Sequence, residues 1–393
     1  MLATIPTAAT ASLFALTYTA VLPEGPANSA IGITNIFGAF TGAVFAVLVG
    51  HLSDKTRSRM GRRNPWILGG AITSGIALIG LAVANYSAIW PVVLFFCLFQ
   101  AGLNTYYASY NALLPDRIHS KLLGRASAYA GFGSLAGTAL GSIVTQLLIV
   151  VFGTQHITRG FLVLPWSMLI IAVIIVLAIP GANLSNRQIG DIETNKAPAA
   201  RFRLPKDRDF WLAYVGRFFV VLGIMLILQT ATQILRYHYG LDIKGAAAVG
   251  TVAGLIMAGV GAVASIFGGV VSDKLDKRKP LIALSVSFVV IGMIVLALTK
   301  TLVFYYVYTA LAALAFGIFQ AVDQALMVEV LPDKENAAQD MGILGTTNTL
   351  TGVIAGGLGA ALIASLGYEL LFISAAVLSI AGILVFIPIR RVK

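Results

Sequence analysis

Residues 50–65 read GHLSDKTRSRMGRRNP, a short basic loop set between two apolar runs that are too long for soluble helices. Five of its residues are Lys or Arg (Lys55, Arg57, Arg59, Arg62 and Arg63), and Asp54 is its one acid. A loop this basic between two apolar spans marks the cytoplasmic side of a membrane. Its local chemistry predicts a stiff hairpin: Gly50 and Gly61 permit backbone conformations closed to other residues, Asn64 suits a helix N-cap, and Pro65 suits the first helical turn.

Outward from this loop the composition carries the same message. The chain has 393 residues, 58% hydrophobic and 11% charged, where a soluble globule carries roughly 25% charged residues. It reads as a multispan membrane protein. Each span needs about 20 apolar residues, and the sequence breaks into twelve such runs: 2–22, 30–50, 65–84, 89–114, 124–152, 160–179, 209–235, 244–271, 280–299, 302–330, 340–366 and 368–388. The short alternating segments of a β-barrel are not seen. In a soluble protein the net charge of +11 would suggest nucleic acid as a partner. Here 22 of the 27 basic residues fall in the joints 51–64, 115–125, 181–208, 272–279 and 333–339 and in the tail. Both termini are therefore expected in the cytoplasm, and no nucleic-acid partner is implied. The lone Cys97 excludes an internal disulfide and speaks against a thiolate metal site. The first apolar run lacks a basic start and is too long for a signal-peptide core, so it reads as span 1.

The chain also repeats itself. GHLSD ending at Asp54 returns as GVVSD ending at Asp273, an offset of 219, each followed by a basic cluster and a helix-opening proline, Pro65 and Pro280. Phe99-Gln100-Ala101 returns as Phe319-Gln320-Ala321, and Leu114-Pro115-Asp116 as Leu331-Pro332-Asp333. Six spans are duplicated into twelve, giving an all-α membrane protein of two pseudo-symmetric six-helix bundles, residues 1–180 and 209–393, joined by a cytoplasmic linker, 181–208. Glycines four apart, which let helices approach closely, occur in spans 2, 5, 8 and 11 (Gly38 and Gly42; Gly133, Gly137 and Gly141; Gly250 and Gly254; Gly352 and Gly356).

The GxLSD signature with its basic loop resembles the major facilitator superfamily. The longer form SDKTRSRMGRRNPW is similar to the branch of glycoside–pentoside–hexuronide:cation symporters and sucrose-transporter-like proteins. The resemblance covers the whole chain and implies a rocking transporter in which spans 1, 4, 7 and 10 line a central cavity and spans 2, 5, 8 and 11 join the halves. It carries a cytoplasmic gate over to Asp54, Arg62 and Arg63, and to Asp273 in the second half. Asp276 stands where the general signature has Gly, a departure at the second gate. Span 2 also lacks the membrane carboxylates with which melibiose-type members bind their coupling cation.

An ionisable residue inside a span is costly and points to function. Arg217 lies about eight residues inside span 7 and Asp323 about eight from the end of span 10, so both sit roughly 12 Å deep. A salt bridge between them would offset part of each desolvation cost. Either the pair fixes how the two spans pack, or Asp323 carries the coupling proton or binds solute while Arg217 tunes or assists it. Span 4 bears a polar face, Gln100, Asn104, Tyr107 and Asn111 at i, i+4, i+7 and i+11, flanked by Tyr106 and Tyr110. Amides and phenols of this kind hydrogen-bond sugar hydroxyls while rings cover the sugar's apolar side; the alternative is hydrogen bonding between helices. Gln320 and Gln324 on span 10 mirror the face, and Gln229 and Gln233 lie toward the far end of span 7. Single polar residues, Tyr18 and Asn348, read as packing partners.

These features point to a secondary transporter that moves a sugar or glycoside with a coupling cation, protons rather than sodium. It is expected as a monomer in the plasma membrane, the inner membrane if bacterial, with lipid around it. An exporter of amphiphilic compounds and a nontransporting solute receptor are the competing readings. The sequence offers no nucleophile with a base, no cluster of zinc ligands and no phosphate loop, so neither an enzyme nor a cofactor is implied.

Overall fold

The computed structural model describes residues 4–56, 58, 60, 61, 63–117, 133, 137, 139–178, 205–275, 278–330 and 337–389, and among them every regular element is helical. The helices are α1 Thr4–Val21, α2 Glu24–Lys55, α3 Asn64–Val83, α4 Ile89–Arg117, α5 Ala139–Phe152 and α6 Gly160–Ala178, then α7 Arg208–Gln229, α8 Ile243–Leu275, α9 Arg278–Leu298 and α10 Leu302–Glu329. A last run, Ala337–Phe386, is broken at Gly367, whose φ of 80° is a conformation that glycine adopts without strain. Residues 337–366 are α11 and residues 368–386 are α12. Nine helical runs among the described residues are long and apolar enough to cross a membrane, one of them the 41-residue stretch that Gly367 divides. The shorter α1 and α5 complete the expected twelve. At its far end α7 passes through Ala231–Gln233 into a π-turn, Ile234–His238.

The chain divides into two compact units, residues 1–22 with 33–201 and residues 23–32 with 202–393. In the first, α3 packs on α4 and α6, and Thr145 of α5 donates to the Ala9 carbonyl of α1 at 3.3 Å. In the second, α9 packs on α10 and on the α11–α12 run, and α7 lies along that same run. The pairs correspond at an offset of six helices, so the sequence repeat is also a packing repeat. The first residues of α2 belong to the second unit, where Gly32 meets Ala360 and Gly356 of α11.

Glycine sets the closest of these contacts. A Cβ built on Gly102 of α4 would stand 2.6 Å from the Ser74 nitrogen and 2.8 Å from the Gly70 carbonyl oxygen of α3, so the two backbones touch. Gly317 of α10 meets the Gly261 carbonyl of α8 in the same manner.

The basic loop is the expected hairpin, with two corrections. Gly61 has φ 90°, but Gly50 lies inside α2. Asn64 is the first residue of α3 and not its cap; Arg63 occupies that position, with no capping side-chain bond, and Pro65 opens the helix. The stiffness comes from bonds across the loop. Arg63 Nη1 donates to Ser53 Oγ at 2.5 Å, and Trp66 Nε1 donates to Thr56 Oγ1 at 2.8 Å. Arg62, the side chains of Asp54 and Asp273, and linker residues 181–204 lie outside the described residues. Tyr18 is a packing partner as expected, its hydroxyl 3.3 Å from Thr34 Oγ1. At the other end of the chain, Lys279 Nζ reaches the carbonyls of Ile387 and Ile389 just past α12.

Candidate functional site

Helix α7 begins where the Asp207 side chain accepts from the Phe210 nitrogen at 3.1 Å, the arrangement of an N-cap. Counted from that start, one face of the helix carries Ala213, Gly216, Arg217, Val220, Val221 and Ile224, all buried. Arg217 thus points inward among apolar neighbours, where an unpaired charge is not tolerated. Its partner is Asp323, on the buried face of α10 with Phe319, Val322 and Leu326. Arg217 Nε donates to both Oδ1 and Oδ2 of Asp323, 2.9 Å each. The side chains are 3% and 1% exposed.

A third helix completes the arrangement. Arg217 Nη1 donates to the Leu344 carbonyl at 2.7 Å and to Thr347 Oγ1, while Thr347 Oγ1 itself donates to the Leu344 carbonyl at 2.7 Å. One guanidinium therefore links α7, α10 and α11. The charges cancel within the pair, and the attraction is strengthened because water is excluded.

A pocket of about 130 Å³ opens one helical turn further along the same three helices. It is lined by Val221, Ile224 and Met225 from α7, by Phe316, Phe319 and Gln320 from α10, and by Asn348 from α11. Gln320 is three residues from Asp323, and Asn348 follows Thr347. At about 30 Å³ per water in the liquid, this is space for about four waters. The pocket offers two amides among aromatic and aliphatic walls, so it can hydrogen-bond hydroxyls while a ring covers carbon.

Of the expected site residues, the structure brings Arg217, Asp323 and Gln320 together. Gln229 is exposed near the end of α7, four residues beyond Met225; the side chain of Gln324 lies outside the described residues. Asn348, expected as a packing partner, instead lines the pocket.

The polar face of α4 lies in the other unit. Gln100 and Asn104 stand against Gly38 and Gly42 of α2: a Cβ on Gly42 would meet Asn104 Nδ2 at 2.5 Å, and one on Gly38 would meet Gln100 Cγ at 3.2 Å. Asn104 Nδ2 donates to the Gln100 carbonyl at 2.9 Å. Tyr107 reaches Thr7 of α1, their oxygens 3.3 Å apart. Tyr106 does not share this face. Its ring is buried among Ile67 and Ala71 of α3 and Ile171 and Ala172 of α6, and lies parallel to that of Tyr110 at 6.1 Å. The physical reason is the 100° step per residue, which turns Tyr106 away from Tyr107 and into the seam between α3 and α6. The side chain of Asn111 lies outside the described residues.

The comparisons with known proteins agree with this architecture. A family profile described as MFS/sugar transport protein matches residues 1–390. An uncharacterized symporter of Synechocystis sp. is 32% identical over 114 residues, 26% of this chain and 20% of that protein. A lactose permease of Lactobacillus delbrueckii subsp. bulgaricus is 25% identical over 232 residues, 54% of this chain and 36% of that protein. The matched stretches thus span between about a fifth and about a third of those relatives' own lengths. Among solved structures, a bacterial homolog of the human lysosomal transporter Spinster, inward-facing and occupied, superposes with a TM-score of 0.70 at 15% identity over 100% of this chain and 96% of that one. The nucleoside transporter NupG superposes with a TM-score of 0.70 at 12% identity over 99% and 98%. At such identities these structures share the fold. The profile spans nearly the whole chain, over helices that repeat as two sets of six, and the protein belongs to the major facilitator family of MFS/sugar transport proteins, with the multi-pass membrane architecture of that family.

Proposed function

We propose that this transporter moves a sugar or glycoside by alternating access, in symport with protons. The observation that carries the reading is the Arg217–Asp323 pair lying one turn from a pocket whose polar groups are the amides Gln320 and Asn348. A carboxylate so placed can exchange a proton when the pocket fills or empties, and neutral amides suit an uncharged polyhydroxylated solute. The family description and the lactose permease among the relatives support the choice of sugar.

In this reading residues 1–180 and 209–393 are the rocking halves, and 181–208 is the cytoplasmic linker. Gln100, Asn104, Tyr107 and Asn111 of α4, with Gln229 and Gln324, supply further solute contacts. Asp54, Arg62, Arg63 and Asp273 act at a cytoplasmic gate, which Arg63 serves through its bond to Ser53. Both termini lie in the cytoplasm, as the basic joints require of a plasma-membrane protein.

A second reading is favoured by the apolar part of the same pocket: Val221, Ile224, Met225, Phe316 and Phe319 could carry an amphiphilic compound outward. One experiment separates the two. Uptake into proteoliposomes of a panel of labelled mono- and disaccharides and of an amphiphilic cationic dye is measured under imposed proton or sodium gradients. Sugar symport gives accumulation of at least one sugar under the proton gradient and none of the dye. Dye movement against the gradient without sugar uptake overturns the sugar reading, and a sodium requirement overturns the proton.

A further inference from the structure

We propose that Thr347 is the positioning residue of the coupling pair, holding the guanidinium of Arg217 to α11 so that proton binding at Asp323 releases α10 alone. The inference rests on the reading of Asp323 as the proton-exchanging group. Thr347 is fully buried, and its one hydroxyl hydrogen is directed to the Leu344 carbonyl at 2.7 Å. Its lone pairs are therefore left facing Arg217, and Nη1 is shared between two acceptors on a single turn of α11. A guanidinium is planar and rigid, so fixing Nη1 also fixes Nε, which stands 2.9 Å from each carboxylate oxygen.

When a proton from solution adds to one of those oxygens, Asp323 becomes a neutral acid and its charge-assisted bonds to Nε weaken. The two α11 acceptors are untouched. Arg217 stays on α11, and the contact that opens is the one to α10. Arg217 is the charged neighbour acting on Asp323. From α8 and α9 the charges come at the helix ends, Lys244, Asp273 and Lys274 on one, Arg278 and Lys279 on the other, and α12 brings only Glu369 at its start, paired with Lys300.

Thr351 supplies an internal control. It is equally buried one turn along α11, but among the described residues its hydroxyl bonds only to its own helix, to the carbonyls of Thr347 at 2.7 Å and Asn348 at 3.1 Å. The test is an infrared pH titration of the full-length protein in lipid, with the proton as the probe, following the carboxylic-acid band that Asp323→Asn removes. Thr347→Val preserves shape but deletes the acceptor. Its midpoint is expected to move alkaline by about one pH unit, a tenfold change in proton affinity. Thr347→Ser restores the wild-type midpoint, and Thr351→Val leaves it unchanged. A Thr347→Val midpoint equal to wild type, or an equal shift in Thr351→Val, overturns the positioning role. If the wild type shows no titrating band that Asp323→Asn removes, the coupling role of Asp323 fails first, and this inference with it.

Discussion

Asp323→Asn abolishes gradient-driven accumulation while solute still exchanges across the membrane. A potential of 100 mV is worth about 2.3 kcal/mol for each charge moved, and every 1.4 kcal/mol is a factor of ten. One proton per solute therefore concentrates the solute roughly 50-fold in the wild type. Asparagine keeps the size of Asp323 and can still hydrogen-bond to Arg217, but it cannot take and release a proton. Its accumulation ratio falls to about one, and counterflow of labelled against unlabelled sugar continues because opening and closing need no net proton. The two assays run on the same proteoliposomes. Full accumulation by the variant would remove Asp323 from coupling; loss of exchange as well would make it a solute or packing residue.

Arg217→Leu has the second large effect, on stability. Deleting one member of a buried ion pair strands the other, at a cost of about 3–5 kcal/mol. Here the stranded group is the Asp323 carboxylate, at 1% exposure, and two acceptors of α11 lose their donor as well. The double variant Arg217→Leu with Asp323→Leu removes both charges and regains most of that loss, because apolar replacement of a whole pair is close to neutral. The check is chemical denaturation in lipid nanodiscs, comparing both single variants with the double. Recovery in the double variant places the stability cost in the stranded charge. Three equal losses would place it instead in the packing of α7, α10 and α11.

The ion pair was legible in the sequence because a charge inside an apolar span has few places to hide, and because Arg217 and Asp323 count to the same depth from their span ends. Its brace on α11 was not. Leu344 contributes a backbone carbonyl, which every residue owns, and Thr347 looks like its neighbours Thr346 and Thr351 until the helix is placed. Asn348 was visible as a polar residue, yet spacing along one helix does not reveal which neighbour a side chain faces. The α4 face shows the same limit. The i, i+4 and i+7 spacing set Gln100, Asn104 and Tyr107 on one side, but the glycines that receive the two amides, Gly38 and Gly42, repeat the same step of four on α2. That match of amide to glycine was the available signal for a contact between helices. The twelve runs were the easiest element to read, since hydrocarbon thickness dictates their length. The cap of α3 was missed because the side chain of Arg63 is drawn to Ser53 across the loop, a bond between residues ten apart.

The backbone contact at Gly70 and Gly102 constrains how this protein can move. With no side-chain cushion between them, α3 and α4 have no slack for sliding or rotation, so they travel as a single keel during the transport cycle. Spin labels at Ile76 on α3 and Leu94 on α4, both exposed positions, are expected to give one narrow separation by pulsed resonance whichever way the carrier opens. A second or broadened separation would mean that bending occurs inside this pair.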